Sequence, residues 1–296
     1  MRKLALVHKA WFAATAVTDR WRLLFEAIRD ECGYELAFIE DTRIAPAGVD
    51  VVLFACSAGH FDEKSVRMLY ASCAASKRIV YLADFQPKRQ PFAIGALARA
   101  DVILAPEGEL YRRIFPDKRV EFFPYFFAPQ ERYTELPWNA SPKMRCLVSG
   151  PLRSRNYPLR AAAARSPLAK VLPHPGSHGA LQKGAVVRDR YARTLNEYFC
   201  AVAGSLRGGI TTKTFEIMAA GSLLLTEPLA DVAEAGLDPG VHYVAATPRT
   251  VTGIIAEVLV HPEDYEQIRR YGCDVARANH GIRNRVERFA RIEESL

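Results

Sequence analysis

Acid is scarce in the middle of this sequence. Between residues 141 and 193 there is one acidic residue, Asp189, against eleven Lys and Arg. The stretch carries a surplus of ten positive charges although the whole chain has only +7, so the remainder is net negative. A local positive field of this kind draws phosphates, acidic polymers or an anionic membrane surface. Long apolar runs are also missing: no eighteen consecutive apolar residues occur, which leaves no candidate transmembrane helix. The opening MRKLALVHKAWF has a basic start but only a short apolar stretch, and it reads as a strand rather than a signal peptide. Cysteines are few and scattered, at 32, 56, 73, 146, 200 and 273, with no C-x-x-C pair. Most sit in apolar strings, a pattern that predicts reduced, buried thiols and a cytoplasmic protein.

What is present is an alternation of strand and helix. The 296 residues are 49% hydrophobic, enough for two domains with real cores. KLALVH (3–8), YELAFIE (34–40), VDVVLFAC (49–56), RIVYLAD (78–84), DVILAP (101–106) and VEFFPYF (120–126) read as strands. Helices are predicted over 18–32, about 62–76, near 91–99 and before 120. Continuous apolar strands separated by helices predict a parallel sheet covered on both faces. The proline-containing stretch 128–142 reads as an interdomain linker. A second series follows at MRCLVSG (144–150), KVLPHP (170–175), YFCAVAG (198–204), SLLLTE (222–227) and HYVAA (242–246). The tail from Pro248 is helical, and its last segment, 281–296, puts Ile282, Val286, Phe289 and Ile292 on one stripe. The expected division is an N-terminal acceptor domain over 1–138, a nucleotide domain over 139–280, and a final helix, 281–296, packing on the first domain. Two such sheets place a ligand cleft between their carboxyl ends.

The segment GGITTKTFEIMAAGSLLLTE (208–227) looks built for an anion. Thr211, Thr212 and Lys213 stand at the start of an apolar helix, where free N–H groups and a partial positive charge suit a diphosphate. It is not a P-loop, because Thr212 rather than glycine precedes Lys213 and the glycine spacing differs. Glu216 would repel a diphosphate facing it, but a carboxylate accepts two hydrogen bonds from a vicinal diol. A ribose joined to a diphosphate supplies both features. The bland reading stands beside it, with Glu216 a favourable first-turn acid and Lys213 a solvated cation.

Other candidates carry a similar pair of readings. Arg153, Arg155 and Arg160 flank the first loop of the second series, where fixed cations would neutralise a diphosphate leaving group in place of a metal. Arg155 comes first among them, and Tyr157 in the same loop joins the donor candidates. His174 and His178 lie four apart in PHPGSHG, but Pro and Gly exclude the helix that would align them on zinc. His174 is better read as a loop residue near a sugar, or as plain surface. His8 and Asp84 end two strands of the first series and are candidate general bases for an acceptor hydroxyl, or core and cap residues.

The segment TKTFEIMAAGSLLLTE resembles the signature of group-1 glycosyltransferases of the GT-B fold, especially the CgeB-like branch, in which [RK]-x-x-E-x-[MP]-A-[ACS]-G precedes an apolar strand. GVHYV (240–244), HGIRNRVERFARI (280–292) and VSGPLRSRNYPLR (148–160) resemble further elements of that branch, so the resemblance covers about 144–292. It implies two Rossmann-like domains facing a cleft and a C-terminal helix crossing back to the first. It also implies sugar transfer from a nucleotide-diphosphate sugar to an acceptor hydroxyl, with no metal or other cofactor. Many group-1 enzymes carry two glutamates with seven residues between them; Glu216 matches the second, and the place of the first is Gly208. The basic segment suits an anionic acceptor such as a glycan, a phosphorylated polymer or nucleic acid, and peripheral contact with a membrane. Two alternatives remain: a nucleotide-sugar epimerase of the same architecture, and a basic nucleic-acid-binding protein.

Overall fold

The computed structural model describes residues 2–7, 19–39, 48–57, 64, 67, 71, 77–83, 97, 99–125, 130–152, 155–174, 185–205 and 209–296. The helices expected over 62–76 and near 91–99 fall largely outside these residues. The described chain divides into two compact units. One runs to Pro124, apart from Thr15–Arg20, and takes up Arg285–Leu296; the other holds Thr15–Arg20 and Tyr125–Asn284.

The first unit is a six-stranded, wholly parallel sheet in the order β2-β1-β3-β4-β5-β6. Its strands are β1 (Arg2–Val7), β2 (Tyr34–Ile39), β3 (Val51–Ser57), β4 (Lys77–Ala83), β5 (Val102–Ala105) and β6 (Val120–Phe122). Helix α1 (Asp19–Cys32) buries Leu24, Phe25 and Ile28, the stripe that its 3.6-residue period predicts. Helix α2 (Gly108–Ile114) follows β5. All four residues of β5 are buried, as a strand covered on both faces requires.

The second unit repeats the plan with five parallel strands in the order β11-β10-β9-β7-β8. They are β7 (Lys143–Val148), β8 (Ala169–Val171), β9 (Tyr198–Val202), β10 (Leu223–Thr226) and β11 (Val244–Ala245). Around them lie α3 (Gln130–Thr134), α4 (Pro158–Ala163), α5 (Arg188–Asn196), α6 (Thr212–Ala219), α7 (Ala230–Glu234), α8 (Val251–Val260) and α9 (Pro262–Asn279). One side of its core joins Cys146, Val148, Cys200, Val202, Leu223 and Leu225 to Leu159 of α4 and Val251, Ile255 and Val258 of α8. Buried Cys146, Cys200 and Cys273 and half-buried Cys32 are not in disulfides.

Residues 136–139, within the stretch read as a linker, are strapped to this second unit. Arg277 Nη2 donates to Leu136 O (3.1 Å), Asn196 Nδ2 to Pro137 O (3.1 Å) and Arg269 Nη2 to Asn139 O (2.8 Å). The Trp138 ring packs on the guanidinium groups of Arg269 and Arg270 at 4.2 and 4.3 Å. The same side chains cap the carboxyl end of α6: Arg277 Nε donates to Ala219 O, Asn196 Nδ2 to Ala220 O and Arg269 Nε to Gly221 O. Cations are favoured at that end of a helix, and here they leave its amino end uncommitted.

The last helix, α10 (Ile282–Glu294), starts in the second unit and continues in the first from Arg285 onward. The crossing back of the tail is thus as the resemblance implies. Val286, Phe289 and Ile292 are buried. Lys77 Nζ donates to the Glu293 carboxylate (2.6 Å) and to its backbone carbonyl (2.8 Å), and Arg285 Nε donates to Pro124 O (2.9 Å).

Candidate functional site

In the second sheet, β8 extends to one side of β7, while β9, β10 and β11 extend to the other. The strand order therefore reverses between β7 and β9. Ligands of open parallel sheets bind outside the carboxyl ends of the strands at such a point. Ser149 and Gly150 follow β7 there, and Ala203, Gly204 and Ser205 follow β9.

Arg160, on α4, fills the floor of this crevice. It is 2% exposed. Its Nε donates to Ala203 O, its Nη2 to Gly204 O (3.3 Å), and its guanidinium packs on the Tyr157 ring at 4.3 Å. The two strand-end glycines make room for it. Gly150 has φ +90°, and a Cβ there would lie 3.1 Å from Arg160 Nη1 and 3.0 Å from Lys213 Cε. Gly204 has φ +62°, and its Cβ would lie 3.0 Å from Arg160 Cγ. Side chains at such φ values are strained even where space exists. Two cations thus converge on one glycine at the switch point. Burial lowers the Arg160 pKa, opposed by Tyr157, Tyr191, Glu227 and Glu216 nearby, but a guanidinium remains charged throughout the working range.

Lys213 lies in the first turn of α6, and its Nζ donates to Tyr191 Oη at 2.8 Å. Among the described residues it has no other hydrogen-bond acceptor and no ion pair, so two of its three N–H groups are free to meet an anion. Thr211 is the N-cap, but its side chain makes no capping bond to α6, and Thr212 beside it is half-buried. The first-turn N–H groups and the positive end of the helix dipole add to the same anion-attracting corner. Glu216 is half-buried one turn on, with no side-chain hydrogen bond or ion pair among the described residues. Glu227, at the end of β10, is committed: it accepts from Ser205 N (2.8 Å) and Ser205 Oγ (3.2 Å) and pins the loop after β9.

His174 follows β8. Its imidazole is held below the ordinary value of 6.5 by burial, and then by the charges of Lys213 and Arg160, so it belongs to this corner. Arg155 stands exposed on the turn before α4, with no hydrogen bond or ion pair among the described residues. Thr211, Thr212, Lys213, Glu216, Tyr157 and His174 are therefore gathered on the elements around one crevice, and Arg155 lies on its first loop. His8, Asp84, Arg153 and His178 lie outside the described residues. Ser149 and Tyr191 went unnoticed in the sequence, and Arg160 did not stand out from its neighbours. A Ser-Gly pair closing an apolar strand was the one signal available. Among the described residues, no three His, Cys, Asp or Glu side chains group as metal ligands, and no helix is long and apolar enough to cross a membrane.

Two of the motifs that carry the resemblance prove to be structural. In GVHYV, His242 Nδ1 accepts from Asp238 N (3.0 Å), and the His242 carbonyl packs against Gly272 of α9. In the tail, buried His280 stacks on Phe215 at 4.3 Å, directly beside Glu216 in sequence.

Comparison with solved structures agrees with this plan. Sucrose-phosphate synthase from Thermosynechococcus elongatus superposes with a TM-score of 0.69 at 12% identity, over 100% of this chain and 99% of that one. Anabaena Alr3699/HepE, solved with UDP and glucose, gives 0.62 at 10% identity over 100% of both chains. T4 phage BGT, solved with UDP and Mn2+, gives 0.55 at 12% identity over 99% of both. No curated protein matches the chain. A sequence profile described as glycosyl transferase-like matches residues 136–291, more than half of the chain and nearly all of the second unit. The chain accordingly belongs to the glycosyl transferase-like family, and its two parallel-sheet units have the GT-B fold.

Proposed function

We propose that this protein transfers a glycosyl group from a nucleoside-diphosphate sugar to an acceptor hydroxyl without a bound metal, as a cytoplasmic member of the CgeB-like branch. The observation that carries this reading is the convergence of Lys213 and Arg160 on Gly150 at the switch point. As the bond from the anomeric carbon to the diphosphate oxygen breaks, negative charge grows on the diphosphate. Lys213, the amino end of α6, and Arg153 and Arg155 of the first loop meet that charge with fixed positive groups, so little reorganisation is needed. Thr211 and Thr212 add hydroxyl donors, and the carboxylate of Glu216 accepts from the ribose diol. Tyr157 and His174 bound the donor from α4 and β8. The first unit takes the acceptor, with His8 or Asp84 removing the proton from its hydroxyl. The surplus of positive charge in 141–193 favours an anionic acceptor and contact with an anionic surface.

Titration of UDP, GDP and ADP into the parent and Glu216→Ala tests the donor site. The best ligand should bind the variant more weakly by about 1.5–3 kcal/mol, the worth of hydrogen bonds to a charged group, with the fold intact. Equal affinities would remove Glu216 from the site. T4 phage BGT was solved with Mn2+ beside UDP, so EDTA is the second arm. Turnover should survive it, and a loss that magnesium or manganese restores would overturn the metal-free reading.

A further inference from the structure

Two polar groups follow one another behind Lys213. Its Nζ lies 2.8 Å from Tyr191 Oη, and that oxygen lies 2.7 Å from Ser149 Oγ. The direction of the first bond is fixed by chemistry. An ammonium has no lone pair, so Tyr191 Oη accepts from Nζ, while between Tyr191 Oη and Ser149 Oγ either hydroxyl can be the donor. Tyr191 is 8% exposed and Ser149 5% exposed, so neither hydroxyl could give up its partner to water without cost. The two come from α5 and the end of β7. On the opposite side, Gly150 offers no side chain, and a Cβ there would press on Lys213 Cε at 3.0 Å. A lysine side chain has four rotatable bonds and is otherwise a mobile point charge. Here it is confined by a bare glycine on one side and a buried hydroxyl on the other.

We propose that Tyr191, backed by Ser149, is a positioning residue that fixes the Lys213 ammonium at the head of α6, so that its two remaining N–H groups are aimed before an anion arrives. The inference rests on the donor-site reading for its role in turnover, but not for its geometry. Preorganisation of this kind spares the ordering of a long side chain during binding.

The test uses the full chain with Tyr191→Phe, which keeps the ring in the core, and Ser149→Ala, which cuts the line one link further back. Lys213 reactivity is read by competitive acetylation with acetic anhydride and mass spectrometry of its peptide. Inorganic pyrophosphate, which needs no choice of base, is the binding probe beside UDP, GDP and ADP. In Tyr191→Phe, Lys213 should acetylate faster and pyrophosphate bind more weakly, each on the order of tenfold, the scale of one hydrogen bond. Ser149→Ala should shift both in the same direction by less. In a Lys213→Ala background, Tyr191→Phe should have no further effect on binding, because its action passes through the lysine. An unchanged acetylation rate in Tyr191→Phe would overturn the proposal, as would an equal loss of binding in both backgrounds. If the parent binds neither pyrophosphate nor any nucleoside diphosphate, the donor reading fails, and acetylation alone still decides the role of Tyr191.

Discussion

At the residue scale, the site joins what a short segment can encode to what only folding assembles. Lys213 and Glu216 stand three positions apart, so their pairing of cation and carboxylate was legible in the sequence. Tyr191 reaches Lys213 across 22 residues, Ser149 reaches Tyr191 across 42, and Arg160 reaches Ala203 across 43. No local pattern announces contacts over such distances. Arg160 is not told apart from Arg153 and Arg155 by the sequence, because burial is a property of the assembled fold and not of the residue. His174 shows how the assembled charge acts. Burial, then Lys213 and Arg160, hold its pKa below 6.5, so just beneath that pH the unfolded chain binds a proton that the folded chain refuses. The stability supplied by the neutral ring is therefore present above 6.5 and is lost as pH falls from there through the folded value. A diphosphate seated among these cations would offset their field and raise the imidazole pKa again. Acidification across that window should then cost the free protein more stability than the complex. Thermal midpoints with and without the best nucleoside diphosphate, in the parent and in His174→Gln, check this. The pH dependence should be smaller in the variant, and an identical profile would detach His174 from the site.

At the scale of elements, the strands of both sheets were readable because parallel strands buried on both faces are continuous apolar runs. The strap at 136–139 was not, because it is held by its own carbonyls, which every sequence has. Its partners are Asn196 of α5 and arginines of α9, a helix whose polar face looks solvated when read alone. Helix α9 also depends on one absent side chain. A Cβ at Gly272 would sit 2.4 Å from His242 O, with Met218 Cγ at 3.5 Å. Replacing a helical glycine by alanine gains about 1 kcal/mol in helix propensity. Overpacking a close contact costs about 1–3 kcal/mol, and here the obstacle is backbone. Gly272→Ala should therefore lower stability in urea unfolding despite its better propensity, whereas a more stable variant would mean that α9 can shift away from residue 242. Helix α10 makes the opposite case. Phe289 is 1% exposed beside buried Val286 and Ile292, so Phe289→Ala should cost about 3–5 kcal/mol. A loss under 1 kcal/mol by the same measurement would show the helix to be weakly held.

At the scale of the molecule, the bond from Arg285 to Pro124 has a mechanical consequence. The chain leaves the first unit after Pro124 and returns to it at Arg285, and these two residues are joined by a 2.9 Å hydrogen bond. Apart from Thr15–Arg20, the second unit is thus a guest inserted in a host, the entry and exit of its main segment clamped together. Arg2 and Leu296 both belong to the host. A pull applied at those ends is carried first by β1 and α10, while the clamp shields the guest from load. In an optical trap, the first rupture should release host segments alone. The guest should lengthen only afterwards, once α10 has peeled back past Arg285 or the host sheet has given way. Arg285→Met should let load reach the guest sooner. A first rupture that releases residues 125–284 from the parent would show that the clamp does not carry force.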